Sequence, residues 1–415
     1  MSTLTLTHAQ VLDPSLGLNQ LSDIVIEYGF IIDITAAGKS ISTNPEFNAE
    51  KALVIPGLID LSAHIHNIAS ETVAAAKGGI THLCAQPNSR QLIDTPANVS
   101  LLQQASAKAN SSRLLPIGAL TQKLAGDQLA NMHSLKQAGC IALSNAREPI
   151  KNALVLRRIM EYATTHDMLI MLTAEDCDLS ANGIMHEGPT ANRLGLTGIA
   201  EVAETAALAQ QLLLVELTGC RSHFSQLSCG RSVSMIRAAQ AQGLPVSADV
   251  AIANLMFTDE DVDGFDSTFN VQPPLRSEKD RQALLAGVND GVLAICSNHQ
   301  AQDIAAKKAP FAAAEPGMSL LDTWLSMMLT LVNKGELDLS AVVNASSILP
   351  AKILGLKAGL QREQLANLVV VKQDADICYS IDSLLSSGKN SPVLGEPLKG
   401  EVKLTFSAGR EVYRA

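Results

Sequence analysis

The central part of the chain alternates between short apolar runs and longer amphipathic segments. Most runs are almost continuous in Val, Ile, Leu, Ala and Cys, which is typical of strands covered on both faces. The segments between them have the helical period: Leu156, Ile159, Met160 and Ala163, for example, are spaced i, i+3, i+4 and i+7. The pattern predicts eight β-α units with strands at 55–61, 80–85, 114–119, 140–143, 168–172, 212–217, 245–250 and 292–296.

Eight β-α units favour a TIM barrel with insertions, because that fold repeats the unit eight times over about 250 residues or more. A doubly wound sheet is the alternative, but no strand is followed by G-x-G-x-x-G. The fold class is therefore α/β.

Both ends of the chain have strand patterns of their own. Residues 3–6, 23–27 and 30–34 near the start, and 368–371 and 401–405 near the end, read as strands. Because chain termini often lie close together, the two sets can form one small composite β-sandwich. We predict part of this β module in residues 1–54, the barrel in 55–355, and the rest of the module in 356–415.

The charge balance limits the range of partners. The 415 residues include 31 Lys and Arg against 41 Asp and Glu, a formal net charge of −10. Nucleic acid and membrane surfaces are therefore not expected as partners. Charged residues make up 17% of the chain, below the roughly 25% of an average soluble domain. This composition fits either an ordinary soluble protein or a surface largely covered by other subunits.

The cysteines and the N-terminal sequence predict a location. The seven cysteines are scattered without a C-x-x-C pair, and Cys220, His223 and Cys229 lack the fourth ligand and the spacing of a zinc clip. The first residues have no signal-peptide pattern, and no apolar run reaches 18 residues. We expect a cytoplasmic protein with free thiols.

Candidate chemistry should lie at the carboxyl ends of the barrel strands. The predicted ends are residues 60–67, 85–88, 144–147, 172–176, 215–218 and 296–300. Their side chains are mostly hydroxyls, amides, carboxylates and histidines.

Six short sequence motifs lie along the chain, several of them at or near these strand ends. They are Ile-Pro-Gly-Leu-Ile-Asp at 55–60, Gln-Pro-Asn at 86–88, Pro-Pro-Leu-Arg at 273–276, Glu-Pro-Gly-Met at 315–318, Pro-Ala-Lys-Ile-Leu-Gly-Leu at 350–356, and residues 395–400. Together, in this order, they resemble the dihydroorotase branch of the amidohydrolase superfamily along nearly the whole chain. Each motif is weak alone, but all six occur at spacings compatible with a barrel.

The resemblance implies a zinc site in active relatives, from which this chain departs. The family's first strand ends D-x-H-x-H-x-R, and here Ser62, His64 and His66 stand at the histidine, histidine and arginine positions. An aspartate or carbamylated lysine after strand four corresponds to Asn145 or its neighbour. A histidine after strand five corresponds to Thr173.

The remaining implied positions also differ. The histidine of strand six is replaced by Glu216, and the T-D-H that ends strand eight reads Ser-Asn-His, with Asn298 at the aspartate position. Hydroxyl groups are poor zinc ligands, and an amide cannot take up a proton as the aspartate does. Only His64 clearly remains, so we expect no bound metal, no catalytic residues and no dihydroorotase activity.

Several residues allow a second interpretation. His64, His66, Glu216 and His299 could form a rebuilt metal site with four N or O ligands, the two first histidines sharing one face of a strand. Asn88, which matches a substrate-contacting asparagine of the family, could form a remnant pocket with His299. By contrast, the acidic residues at 175–178 are expected in a solvated loop, and Cys296 as a buried core thiol rather than a nucleophile.

A barrel that keeps its architecture and loses its ligands indicates a structural role. The resemblance is to the non-catalytic dihydroorotase-like chain that some bacteria pair with aspartate transcarbamoylase. The hypothesis is a structural subunit that this transferase needs for assembly and activity in de novo pyrimidine synthesis, in a mixed oligomer with self-association. The alternatives are an active, divergent cyclic-amide hydrolase with the rebuilt site, and a regulatory module that binds a pyrimidine precursor.

Overall fold

The computed structural model describes residues 2–89 and 91–415. Its strands are β1 (Leu4–Asp13), β2 (Leu18–Glu27), β3 (Phe30–Ala36), β4 (Glu46–Asn48), β5 (Leu53–Pro56), β6 (Leu58–His64), β7 (Ile80–Ala85), β8 (Arg113–Ala119), β9 (Ala142–Ser144), β10 (Ile170–Thr173), β11 (Met185–His186), β12 (Gly198–Ile199), β13 (Ser222–Ser225), β14 (Val246–Ala251), β15 (Leu293–Cys296), β16 (His299–Gln300), β17 (Leu368–Cys378), β18 (Pro397–Ser407) and β19 (Arg410–Arg414).

The α-helices lie mainly between the strands of the central sheet. They are α1 (Ile68–Lys77), α2 (Pro96–Ala109), α3 (Met132–Ala138), α4 (Ala153–Thr165), α5 (Pro189–Leu194), α6 (Glu201–Thr218), α7 (Gly230–Ala241), α8 (Ile252–Met256), α9 (Glu278–Asn289), α10 (Trp324–Asn333), α11 (Leu339–Val343) and α12 (Leu349–Leu354). Within the described residues, no helix combines the length and the apolar character needed to cross a membrane.

The central sheet is a barrel of parallel strands in the order β15-β14-β13-β10-β9-β8-β7-β6-β16. Strand β16 follows β15 after two residues and pairs with β6, so that His299 lies beside Ala63 and Gln300 beside His64. This pairing closes the ring between the last and the first barrel strands. The predicted fold class, an α/β barrel with a β module from both termini, is confirmed.

The β module is one eight-stranded mixed sheet in the order β19-β18-β17-β5-β1-β2-β3, with β4 beside β1. The C-terminal β17 joins the N-terminal strands by pairing antiparallel with β5. Only Gly57 separates β5 from β6, so the predicted run 55–61 contains parts of two strands from two sheets. A Cβ atom at Gly57 would lie 2.3 Å from Thr81 Cγ2; close packing at this crossing therefore requires glycine.

One predicted strand is wrong. Residues 212–217 lie in helix α6, and the sixth barrel strand is β13, Ser222–Ser225. The buried residues Glu204, Leu208, Gln211 and Val215 are spaced by four, three and four, as a helix requires. The leucines that made this segment look like a buried strand lie partly on the outer face.

Candidate functional site

A closed group of polar side chains occupies the barrel interior at the end of the first strand. The Ser62 hydroxyl, in a residue only 1% exposed, accepts hydrogen bonds from Gln86 Nε2 at 2.9 Å and from Gln226 Nε2 at 2.7 Å. Gln86 follows β7 and Gln226 follows β13, so three strand ends meet here. We call these three residues the amide–hydroxyl cluster.

The chemistry of this cluster does not suit a metal ion. A serine oxygen has two acceptor lone pairs, and both face amide N–H donors here. The amide nitrogens of Gln86 and Gln226 act as donors and have no free lone pair for a cation. The position implied for the first zinc-binding histidine is therefore taken up by hydrogen bonds within the protein.

His64 is the last residue of β6 and is 9% exposed. Burial lowers its pKa to about 4, and the nearby positive charges of His66, His299 and Arg147 add to this effect. Asn88, exposed in the turn after β7, lies near the His64 side chain and partly offsets this lowering of its pKa. His64 is thus a neutral imidazole at pH 7.

His66 does not share a strand face with His64, because β6 ends at His64 and His66 lies exposed in the bend that follows. The i, i+2 geometry expected for half a metal site is therefore wrong.

Asn145, after β9, holds two loops together. Its Oδ1 accepts a hydrogen bond from Thr121 Oγ1 at 2.7 Å, and its Nδ2 donates to the carbonyl oxygens of Leu124 at 3.1 Å and Glu148 at 3.0 Å. Since the residue is 4% exposed, the amide is buried and fully engaged. This position has a structural role in the loops after β8 and β9.

Thr173, the last residue of β10, also connects loops. Its hydroxyl donates to the Ala146 carbonyl at 2.8 Å, and its own carbonyl accepts a hydrogen bond from Gln211 Nε2 at 3.1 Å. Thr173 therefore links the ends of β9 and β10 to helix α6.

Glu216 is not at a strand end. It lies exposed on helix α6, outside the barrel, and the residue directly after the sixth strand is Gln226. The sequence offered one signal for this placement: Gly219 ends α6 in the left-handed conformation with φ 66°, a common helix stop, just before β13.

Asn298 and His299 occupy the end of the eighth strand. The Asn298 Nδ2 donates to the Gln272 carbonyl at 2.9 Å, which ties this turn to the loop after α8. The His299 Nδ1 accepts the Leu320 backbone N–H at 3.1 Å, and its Nε2 lies 3.0 Å from Glu71 Oε2. Both ring nitrogens therefore face protein partners.

Glu71, on helix α1, is fully buried with His299. Its Oε2 accepts the Ser386 hydroxyl at 2.7 Å, and its Oε1 accepts the Ser387 N–H at 2.9 Å. Burial alone would raise the pKa of Glu71, but the neighbouring His299 ring and the serine donors lower it to about 2. Sequence reasoning missed this residue, which lies 228 positions before its histidine partner.

The rebuilt metal site is therefore not formed. His66 is exposed beyond the strand, Glu216 is on the outside of the barrel, and His299 is engaged by Glu71 and Leu320. Across residues 2–89 and 91–415, no three His, Cys, Asp or Glu side chains come together in a way that could hold a metal ion. The zinc implied by the family resemblance does not fit this donor set.

Deeper in the barrel, Asp60 accepts hydrogen bonds from the Ser297 N–H at 2.9 Å and the Ser62 N–H at 3.2 Å. Burial raises its pKa to about 6 despite these donors. Cys296 donates its thiol to Asp249 Oδ1 at 3.4 Å. Burial and the Asp249 charge raise the pKa of this thiol well above its usual value, so it stays protonated and is not an activated nucleophile.

The side chains after β10 face a cavity of about 350 Å³ between α4 and α6. Glu175 pairs with Arg147, and Asp178 pairs with Lys151 at 3.2 Å near the surface. Asp176 accepts two backbone N–H groups of its own loop. Each of these carboxylates therefore has a partner within the loops, either a basic side chain or backbone N–H groups. Arg147 also lies near His64, and sequence reasoning did not single it out.

Several solved structures share the fold of this chain. L-hydantoinase (dihydropyrimidinase) from Arthrobacter aurescens matches with a TM-score of 0.87 and 22% identity over 100% of this chain and 96% of that one. Dihydropyrimidinase from Brevibacillus agri matches with a TM-score of 0.85 and 18% identity, over 100% of this chain and 95% of that one. At these identities the likeness concerns the fold alone: an amidohydrolase-type barrel with a β module.

Sequence comparisons are more specific. The Dihydro-orotase-like family model matches residues 51–232. A "Dihydroorotase-like protein" of Pseudomonas aeruginosa is 43% identical over 98% of both chains, and a "Dihydroorotase" of Trichlorobacter lovleyi is 33% identical over 97% of both. The chain belongs to the dihydroorotase-like family of amidohydrolases.

Proposed function

We propose that this protein is a cytoplasmic, catalytically inactive dihydroorotase homologue that acts as a structural subunit of aspartate transcarbamoylase in de novo pyrimidine synthesis. In this proposal it self-associates and binds the transferase catalytic chain, which needs it for assembly and activity. It requires no metal.

The observation that supports inactivity most strongly is the amide–hydroxyl cluster. Ser62 and Gln226 stand at two strand ends where active relatives are expected to bind zinc through histidine, and they are hydrogen-bonded to each other. Metal-assisted hydrolysis needs several fixed N or O ligands to lower the pKa of a bound water. His64 alone offers one such ligand, and one ligand is not enough.

The structural role follows from the loss of metal ligands at the strand ends of a barrel whose architecture is kept. The low charged fraction of 17% is compatible with a surface largely covered by other subunits.

An active dihydroorotase is the second candidate, favoured by relatives called "Dihydroorotase" at 33–35% identity. The two candidates differ in turnover. The purified chain, supplied with zinc or manganese, should form no dihydroorotate from carbamoyl aspartate above background. Turnover that the variant His64→Ala abolishes would contradict the proposal.

The partner is tested separately. The chain is co-expressed with the transferase catalytic chain of the same genome and analysed by size exclusion with light scattering. We expect one mixed particle containing both chains. Two separate peaks at micromolar concentration would argue against the structural role.

A further inference from the structure

The cavity of about 350 Å³ between helices α4 and α6 lies beside the loops that follow β9 and β10. Its walls include the buried apolar side chains of Leu156 and Met171. Small-molecule sites in proteins have volumes of roughly 300–1,000 Å³ and mostly apolar linings with a few polar groups. The polar groups of this cavity therefore decide what it can bind.

Gln211, on α6, brings a hydrogen-bond acceptor without a donor to the cavity wall. The residue is 9% exposed, and its Nε2 donates to the Thr173 carbonyl at 3.1 Å. This hydrogen bond fixes the orientation of the amide. The other end, Oε1, is buried and has no hydrogen-bond partner within the described residues. A buried acceptor without a donor is unfavourable, and an N–H of a bound molecule would pair it.

Arg147, directly after β9, supplies the complementary donors on the same cavity. Its Nη2 pairs with Glu175, but its Nε and Nη1 are buried and have no acceptor in the part of the chain that the structure describes. Thr173 connects the two walls, because it bonds to both Ala146 and Gln211. A carbonyl oxygen for Arg147 and an N–H for Gln211 are the two sides of a single carboxamide group.

The ionisable side chains around the cavity favour an uncharged ligand. The lining contains more acidic than basic residues: Glu148, Glu175, Asp176 and Asp178 against Arg147 and Lys151. Both basic side chains are already paired with one of these carboxylates. A bound anion would therefore meet an excess of negative charge, whereas an amide would not.

We propose that this cavity binds a small uncharged molecule that has a carboxamide group and an apolar body. The ligand carbonyl accepts from Arg147, its N–H donates to Gln211 Oε1, and its apolar part packs against Leu156 and Met171. The cavity shares no lining residue with the amide–hydroxyl cluster, and the proposal does not depend on the structural role of the chain.

Two cysteines allow the test to be made on the wild-type protein. Cys177 lines the cavity and is partly exposed, Cys378 is exposed outside it, and the other five cysteines are buried. The rates at which N-ethylmaleimide alkylates Cys177 and Cys378 are measured by peptide mass spectrometry, with and without benzamide. At concentrations that fill the site, benzamide should slow the alkylation of Cys177 by about fivefold or more and leave Cys378 unchanged.

Two related probes test the ligand class. N,N-dimethylbenzamide keeps the ring and the carbonyl but has no N–H, and benzoate has a similar shape with a negative charge. Each should need a concentration at least about tenfold higher than benzamide for half-maximal protection of Cys177, since each lacks a feature that the cavity requires.

The protein side of the contact is tested with Gln211→Leu and Arg147→Met, whose melting temperatures are compared with that of the wild type. Each variant should raise the benzamide concentration for half-maximal protection by about tenfold, because one hydrogen-bonding group is lost. The matched control is Gln104→Leu, which changes an exposed glutamine within α2 and should alter that concentration by less than about twofold.

Three results would overturn the proposal. Benzamide that does not protect Cys177 up to its solubility limit would show that the cavity does not take an amide. Equal protection by benzamide and N,N-dimethylbenzamide would show binding by the apolar walls alone, without the contact to Gln211. Stronger protection by benzoate would make the cavity an anion site. The comparison of probes uses only the wild type, so it stands even if a variant fails to fold.

Discussion

Replacing Glu71 by Gln should weaken the fold strongly, although no catalytic role is assigned to Glu71. The carboxylate is fully buried and lies against His299, Ser386 and Ser387. An amide keeps the shape but turns one acceptor oxygen into a donor that faces other donors. Because the group has no access to water, the mismatch cannot be relieved by solvation.

Two estimates of the cost agree. The pKa of Glu71 falls from 4.5 to about 2 on folding, which corresponds to about 3 kcal/mol of stabilisation by the charged form at neutral pH. Leaving a buried hydrogen-bond donor without its acceptor typically costs about 1–3 kcal/mol for each group, and the amide leaves at least one donor around position 71 unpaired. We therefore expect the free energy of unfolding of Glu71→Gln to be about 3 kcal/mol below that of the wild type at pH 7.

The stability difference between the wild type and Glu71→Gln should become smaller at low pH. A carboxyl group whose pKa is lowered by folding stabilises fully above its unfolded pKa of 4.5 and loses that effect as the pH falls through about 2. The difference between wild type and Glu71→Gln should therefore shrink to about 2 kcal/mol at pH 3.5.

The assay is urea unfolding at pH 7 and pH 3.5. The control is Glu50→Gln, an exposed acid paired with Lys372 at 3.1 Å, whose loss should cost less than about 0.5 kcal/mol. A Glu71→Gln variant within 0.5 kcal/mol of the wild type at pH 7 would show that the buried pair contributes little and that our account of this contact is mistaken.

Three further outcomes are expected. The double variant Ser62→His, Gln226→His should gain a zinc site with His64, seen as about one equivalent of zinc by mass spectrometry and a zinc-dependent rise in Tm; zinc content unchanged from the wild type would count against the geometry of the cluster. Since the pKa of His64 is lowered to about 4, the wild type should lose about 3 kcal/mol relative to His64→Asn between pH 6.5 and pH 4, measured by urea unfolding; parallel pH profiles would exclude this. Asn145→Ala should lower the free energy of unfolding by about 2–4 kcal/mol, because the Thr121 hydroxyl and two carbonyls lose their partner; a loss below 0.5 kcal/mol would contradict the role given to this amide.

The sequence pattern was sufficient for seven of the eight barrel strands, because buried parallel strands are short and almost wholly apolar. It failed at β13, whose sequence Ser-His-Phe-Ser is polar although fully buried. The reason lies inside the barrel: His223 Nε2 lies 3.0 Å from Asp249 Oδ2 on the neighbouring strand. In β13, Phe224 is the one apolar residue of four, whereas β14 keeps Val246, Ala248, Val250 and Ala251 around Asp249 and was therefore still predicted.

The candidate site was predictable only in part for a related reason. The resemblance located the ends of β6, β9, β10 and β15, but the meaning of those residues depends on contacts that barrel closure creates. Ser62 contacts Gln86 and Gln226 only because three strand ends converge in the barrel. His299 contacts Glu71, which lies 228 positions earlier in the sequence, for the same reason. Local patterns contain no information about such pairs.

In the proposed function, the transferase depends on this chain for its activity. The measurement is the steady-state rate at which the transferase catalytic chain forms carbamoyl aspartate, with and without an equimolar amount of this protein. We predict little activity from the transferase chain alone and at least a tenfold increase when both chains are present. A transferase chain that is fully active alone, with a rate that this protein leaves unchanged, would rule out the proposed structural role.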